Sequence, residues 1–319
     1  MSLRVVFMGT PEFAVPSLQT LVTEGYEVVG VFTQPDRPKG RGGKVQQSPI
    51  KEYALTQGIP IFQPVKIRAD GIADLKTLAP DICVTAAFGQ ILSQEVLDIP
   101  VLGTVNVHGS LLPRHRGAAP VQWAILQGDA ETGVTTMLTD KGIDTGDMLL
   151  KVSCPIEDTD TAGSLLDKLS RLGAGLLVET IRKLEAGNCP QEKQNAQAAT
   201  YDPMLSKEMG ILDFREGDEA CLRRIRAMDP WPCAYVPLNQ SVLKVWKARR
   251  ADAEQFQSKG EGAGLVLAAD GKQGLVVSTS DGAIEFLEIQ APNAKRMDAR
   301  AFLRGHGMEI GKPLNEVKL

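Results

Sequence analysis

Short apolar, β-branched runs recur through the first third of this chain with helix-length gaps between them. They lie at residues 5–7 (Val-Val-Phe), 28–32, 82–85 and 104–107. The intervening segments carry helical spacing, as in Pro16-Ser17-Leu18-Gln19-Thr20-Leu21-Val22. Runs too short for buried helices, alternating with amphipathic segments, predict an α/β fold with a doubly wound, mostly parallel, Rossmann-like sheet. A ligand crevice is then expected at the carboxyl ends of the strands. After the first run stands Gly9-Thr10-Pro11-Glu12-Phe13, with one glycine and an interrupting proline where a dinucleotide fold carries GxGxxG. A nicotinamide cofactor is disfavoured.

Further along, residues 134–138 and 148–152 read as two strands joined by the acidic, glycine-punctuated loop Thr139-Asp140-Lys141-Gly142-Ile143-Asp144-Thr145-Gly146-Asp147. A long amphipathic helix follows, capped by Asp160 or Thr161, with Leu165, Leu169, Leu176, Leu177 and Ile181 on its apolar side and its end near Gly187. Residues 188–206 are rich in Gln, Ala and Asn without periodic apolar content, which predicts a linker. Beyond it, residues 218–228 suit a basic helix. The runs 242–246, 264–268, 274–279 and 283–289, punctuated by Gly and Asp, suit a smaller β-barrel of the oligonucleotide-binding (OB) type. The expected division is therefore a domain at 1–187, a linker at 188–206 and a second domain at 207–319.

Composition narrows the function classes. No apolar run in the 319 residues approaches the roughly 20 needed to span a bilayer. The chain enters a strand-like run at once, without the apolar stretch and cleavage site of a signal peptide, which predicts a cytoplasmic protein. Five cysteines without CxxC spacing read as free buried thiols, and with three histidines there is little material for a metal site, so none is expected. Residues 1–205 carry 18 basic and 23 acidic side chains, and residues 206–319 carry 17 and 16. The second part is near neutral, so any RNA-binding face there must come from segregated charge.

The chemistry concentrates at the fourth run, which continues as Asn106-Val107-His108-Gly109-Ser110-Leu111-Leu112-Pro113-Arg114-His115-Arg116-Gly117-Ala118-Ala119-Pro120. Asn106 and His108, two apart on a strand, face the same way. An amide donor and an imidazole at the end of an apolar strand suit stabilisation of an oxyanion and movement of a proton. A nearby carboxylate from the 139–147 loop would orient the imidazole. From spacing alone, satisfied structural polar residues remain an equal alternative.

The longer pattern, from Phe7-Met8-Gly9-Thr10-Pro11 through Asn106–Pro113 and Arg116-Gly117-Ala118-Ala119-Pro120 to Gly142-Ile143-Asp144-Thr145-Gly146-Asp147, resembles the folate-dependent formyltransferases over nearly the whole chain. The resemblance implies a catalytic set of Asn106, His108 and Asp144. It also implies 10-formyltetrahydrofolate as formyl donor, and the α-amino group of methionine on initiator tRNA as acceptor. Ser110, Leu111, Leu112 and Pro113 match the segment lining the folate site. Phe88, Gly89, Gln90, Ile91 and Leu92 are candidates for the pterin wall, with ordinary helix-start packing as competitor. Asp140 suits either a pterin contact or a solvated loop carboxylate.

For tRNA, the glycine-rich basic loop after the second run offers Arg37, Lys39, Arg41 and Lys44, with a mobile, solvated loop as the alternative. The second domain offers Lys244, Lys247, Arg249 and Arg304 for phosphate contact. Trp231, between Pro230 and Pro232, reads as a packing anchor. No obligate protein partner or membrane is implied. A formyltransferase acting on an amino-sugar nucleotide is the nearest alternative, and a non-catalytic RNA-binding protein a more distant one.

Overall fold

The computed structural model describes residues 3–39, 44–238, 241–256 and 262–317. Their strands, in chain order, begin with β1 (Arg4–Gly9), β2 (Glu27–Phe32), β3 (Arg37–Lys39), β4 (Lys44–Gln46), β5 (Ile61–Phe62), β6 (Ile82–Ala86) and β7 (Thr104–His108). They continue with β8 (Arg116–Gly117), β9 (Glu131–Leu138), β10 (Met148–Pro155) and β11 (Tyr201–Asp202), and end with β12 (Ala234–Leu238), β13 (Ser241–Arg250), β14 (Val266–Asp270), β15 (Gly274–Ser278), β16 (Ala283–Gln290) and β17 (Met297–Asp298). The chain divides into two compact units, one of residues 1–120, 131–155 and 166–203, the other of residues 121–130, 156–165 and 204–319.

In the first unit, seven strands run in the order β10-β9-β7-β6-β1-β2-β5. The five from β7 to β5 are parallel, β9 is antiparallel to β7, and β10 is antiparallel to β9. Val5, Val6, Phe7 and Met8 in β1 are all fully buried, as a parallel strand covered on both faces requires. β10, at the edge, alternates half-buried and exposed residues from Leu150 onward. From β1 the chain moves to β2 and β5 on one side and returns to β6 and β7 on the other. That reversal opens a crevice at the carboxyl ends of β1 and β6.

The long helix runs Ala162–Glu185. Its start is a reciprocal cap: the Thr161 N–H donates to Ser164 Oγ at 3.0 Å and the Ser164 N–H to Thr161 Oγ1 at 3.2 Å. The stretch after it, expected as a linker, is bound into the first unit. Met148 and Glu192 exchange both backbone hydrogen bonds, and β11 pairs in parallel with β8. These anchors are hydrogen bonds of polar residues, so apolar periodicity carried no trace of them. The basic loop likewise has a paired base, because β3 and β4 form a short antiparallel ladder.

The second unit holds an antiparallel sheet in the order β12-β13-β16-β15-β14, with β17 on β16. Leu243, Val245, Leu275, Val277, Ile284 and Phe286 fill the interior of this smaller, barrel-like domain. Register shifts along β13 and β14 mark the bends that curl the sheet. β12, at the edge, accommodates Pro237. No helix among the described residues is long and apolar enough to cross a membrane.

Candidate active site

Asn106 and Thr85 are register partners on β7 and β6, at the carboxyl ends where the crevice opens. The Thr85 hydroxyl donates to Asn106 Oδ1 at 2.9 Å. That bond leaves only one orientation for the amide, with its NH2 group turned toward Asp144, whose Oδ1 lies at 3.5 Å. Thr85 is a site residue that sequence reasoning missed; its register partnership with Asn106 was the available signal.

His108, buried two residues on, has its Nε2 at 2.8 Å from the backbone carbonyl of His115. A carbonyl oxygen only accepts, so Nε2 carries the proton. Nδ1 is then the basic nitrogen of the neutral ring, and it faces Asp144 Oδ1 at 3.7 Å. Asp144 is anchored through its other oxygen, Oδ2, which accepts the Gly117 N–H at 2.9 Å. Asn, His and Asp therefore meet at one place, and the carboxylate touches neither of the other two closely.

Two close approaches make this possible. Gly117 has φ +111° and passes so near the Asp202 carbonyl that a β-carbon would collide with it. Gly146 passes closer still to the Leu138 carbonyl, folding the 139–147 loop onto the end of β9. Within that loop Asp144 itself adopts φ +53°. Gln194 holds it there: Nε2 donates to the carbonyls of Asp144 and Gly146, both at 2.8 Å. The Gln194 Oε1 accepts from Arg116 Nε at 2.9 Å, and Arg116 Nη1 reaches Tyr201 Oη at 2.9 Å. Gln194 lay in the expected linker, and no motif singled it out.

The folate candidates divide. Leu112 is buried against Met137 and Met148, and Phe88 and Leu92 belong to a core cluster with Val6, Met8 and Phe32, so these three support the crevice from behind. Ser110 is fully buried, its hydroxyl turned to the carbonyls of Arg114 and His115. Pro113 follows a cis peptide bond. The Gln90 side chain is occupied by the Ile67 N–H and the Pro64 carbonyl. Gly89, with φ +77°, presents its carbonyl to Gln34 Nε2 at 3.0 Å. Ile91 is exposed and Leu111 half-buried, and these two leave apolar surface available to a ring. Asp140 is exposed and caps its own loop, accepting from the Gly142 N–H at 3.0 Å and the Thr145 hydroxyl at 2.6 Å.

Residues 3–181 match the family model described as formyl transferase, and residues 204–307 match the one described as formyl transferase, C-terminal domain. The chain belongs to the formyl transferase family. It is 46% identical over 310 residues to a methionyl-tRNA formyltransferase of Clostridioides difficile, covering 97% of this chain and 99% of that one. To the protein of the same name from Bacillus licheniformis it is 47% identical over 313 residues, covering 98% of each. Among solved structures it is similar to an N-formyltransferase from Helicobacter canadensis, solved with folinic acid and dTDP-3-aminofucose, at 20% identity and TM-score 0.66 over 92% of this chain and all of that one. HypX from Aquifex aeolicus is similar at 17% identity and TM-score 0.65, over 96% of this chain and 48% of that one. The chain thus spans about half the length of HypX. These likenesses establish the shared formyltransferase fold.

Of the basic candidates, Arg37 is exposed on β3. Arg41 and the side chains of Lys39 and Lys44 lie outside the described residues. Arg249 is bound by Glu285, at 2.6 Å, and Arg300 grips the same buried carboxylate at 2.7 Å. Lys247 stands opposite Glu288 across the ladder, and Arg304 is exposed. Lys244 Nζ stands 5.9 Å from the centre of the Trp246 ring, and the Arg296 guanidinium covers that ring at 4.6 Å. Trp231, expected as a packing anchor, is 53% exposed. Burial pushes the thiols of Cys83, Cys221 and Cys233 up, the last two to about 12 and about 11, so none is a ready nucleophile at neutral pH. Among the described residues no group of three or more His, Cys, Asp or Glu could hold a metal ion.

Proposed function

We propose that this formyl transferase moves the formyl group of 10-formyltetrahydrofolate to the α-amino group of methionine on initiator tRNA, in the cytoplasm. The observation that carries the reading is the convergence of Asn106, His108 and Asp144 at the crevice, with the amide and imidazole each held in one orientation. Similarity over nearly the full chain to proteins named methionyl-tRNA formyltransferase supports the acceptor.

The donor supplies an electrophilic formyl carbon bonded to nitrogen. When the amine nitrogen bonds to that carbon and the old carbon–nitrogen bond breaks, negative charge passes through the formyl oxygen and one proton moves from the amine to the departing nitrogen. Asn106 Nδ2 donates to that oxygen. With Nε2 committed to the His115 carbonyl, His108 donates to it only from Nδ1, as imidazolium. Asp144 Oδ1 faces that nitrogen and balances its charge, and the same carboxylate relays the amine proton, through a water, to the departing nitrogen. No nucleophilic side chain is needed.

The donor set fits a folate. Gly89 and the exposed Ile91 form one wall and the half-buried Leu111 and Pro113 another, while Phe88, Gln90 and Leu92 support the first from behind, Ser110 and Leu112 support the second, and Asp140 closes the loop side. The 37–44 loop, through Arg37, Lys39, Arg41 and Lys44, and the second domain at 207–319, through Lys244, Lys247 and Arg304, take the tRNA backbone. The test is formyl transfer from 10-formyltetrahydrofolate to methionyl initiator tRNA, run beside an amino-sugar nucleotide. Transfer to the tRNA alone is expected, and transfer to the sugar alone would refute the acceptor. H108A and D144N should each lower turnover by about 100-fold or more, while tRNA affinity stays near wild type.

A further inference from the structure

Behind the proposed catalytic set lies a second buried pair, His115 and Asp202, with Nδ1 and Oδ2 2.7 Å apart and side chains 4% and 2% exposed. Nothing in the mechanism uses it. Burying a polar pair so completely brings no stability that a well-packed apolar pair would not match, so its presence asks for another reason.

That reason lies in the backbone of His115. Its carbonyl accepts from His108 Nε2 at 2.8 Å and from the Ser110 hydroxyl at 3.2 Å. To aim the carbonyl there, His115 adopts φ +58°, a left-handed conformation that residues with a β-carbon resist. Residues 200–202 hold it. The His115 N–H donates to Thr200 Oγ1 at 2.7 Å, the Arg116 N–H to the Thr200 carbonyl at 2.9 Å, and the Ala118 N–H to the Asp202 carbonyl at 3.2 Å. The imidazole–carboxylate bond fixes the side chain of the same strained residue, so backbone and side chain are both tied to one short segment.

We propose that His115 and Asp202 are positioning residues that hold the His115 carbonyl in place and so fix the neutral ring of His108 as its Nε2–H form, so that the proton it gains to become the imidazolium is taken up at Nδ1, facing Asp144. Released from Asp202, residue 115 relaxes from the left-handed region and its carbonyl turns away. His108 Nε2 then loses its acceptor, and the ring exchanges between tautomers. The proposal rests on the reading of His108 as catalytic, so its test reads the tautomer as well as the rate.

The experiment compares wild type, D202A, D202N and H108A in steady-state formylation, with the ring 15N shifts of His108 recorded on the full-length labelled protein. D202A should lower kcat about 10-fold or more, since small misplacements of a reacting group are costly. Its KM values should stay within about twofold, because the substrates are not what it touches. Its His108 shifts should move from one Nε2–H form toward a tautomer mixture. D202N, which still accepts the His115 Nδ1–H, should keep both rate and shifts near wild type. A folded D202A with an unchanged His108 tautomer overturns the proposal whatever its rate, and so does D202N as impaired as D202A. If D202A does not fold, T200V removes the acceptor of the His115 N–H instead and should shift the tautomer in the same direction; an unchanged tautomer there overturns the proposal too. Wild-type turnover in H108A would end the catalytic reading of His108, while the tautomer result still decides this one.

Discussion

Gln194 offers the most direct test of how the Asp144 loop is held. Replacement by leucine removes the donor that bridges the carbonyls of Asp144 and Gly146, each at 2.8 Å, and the acceptor of Arg116 Nε at 2.9 Å. At about 1 kcal/mol for each neutral bond, the two loop tethers together contribute about 2 kcal/mol. Asp144 at φ +53° sits in a conformation that itself costs about 1–2 kcal/mol, so the strain and the tethers are comparable. Removing the tethers shifts the balance toward a loop with Asp144 displaced. A shift of 2 kcal/mol corresponds to about 30-fold in the competent population, and half-burial of Gln194 lets water recover part of it. We therefore expect kcat of Q194L to fall about 5- to 30-fold with little change in KM. With the Arg116 bond included, Tm should drop by about 5–10 °C. Steady-state formylation and thermal melting measure both. Q194E separates the two halves of the network, since a carboxylate suits Arg116 but donates to neither carbonyl. A folded Q194L within twofold of wild type, or Q194E with full activity, would refute the reasoning.

T85V removes the donor that orients Asn106 and should cost about 1 kcal/mol of transition-state stabilisation, about fivefold in kcat, with tRNA affinity unchanged in a filter-binding assay. R249A leaves buried Glu285 with only Arg300 among its guanidinium partners; it should destabilise the protein by about 1–3 kcal/mol in urea melts yet leave the salt dependence of tRNA binding unaltered. The double variant K244A/R304A should flatten that slope, and an unchanged slope would remove these two from the RNA face. Under alkylation at pH 8, Cys83, Cys221 and Cys233 should stay unmodified in the native protein, since burial holds their thiols protonated; peptide mass mapping should find label only on the half-buried Cys154 and Cys189.

What was legible in the sequence, and what was not, follows from how each feature is encoded. Four of the parallel strands, β1, β2, β6 and β7, were legible because burial writes continuous apolar runs, as in Val5-Val6-Phe7-Met8, while the two-residue β5 was too short to show. Asn106, His108 and Asp144 became a candidate set through the resemblance carried by the long motif, since their spacing alone left satisfied structural polar residues an equal alternative. β8 and β11 were not, since each is two residues long and pairs at a sequence separation of 85 residues. Gln194, Thr200 and Asp202 were hidden for the same reason: their partners are backbone atoms or distant side chains, and a stretch rich in Gln, Ala and Asn reads as a linker whether or not its hydrogen bonds find acceptors. The ion pair of Arg249 was hidden in the same way, because Glu285, which binds it, lies on another strand.

The orientation of the proposed catalytic set depends almost wholly on atoms that sequence does not distinguish. Backbone carbonyls of residues 115, 144 and 146 and the backbone N–H of Gly117 decide where the imidazole and carboxylate point. Their effect appears in the spacing of the set. Asp144 is held by Oδ2 and leaves Oδ1 at 3.5 Å from Asn106 Nδ2 and 3.7 Å from His108 Nδ1, at or beyond the limit of hydrogen bonding. A carboxylate pressed against either donor would consume it. In the proposed mechanism, held back by the Gly117 N–H, it balances the charge of an imidazolium while both donors stay available to an oxygen that gains charge during transfer. The tether on Oδ2 matters for that reason as much as the identity of the three residues.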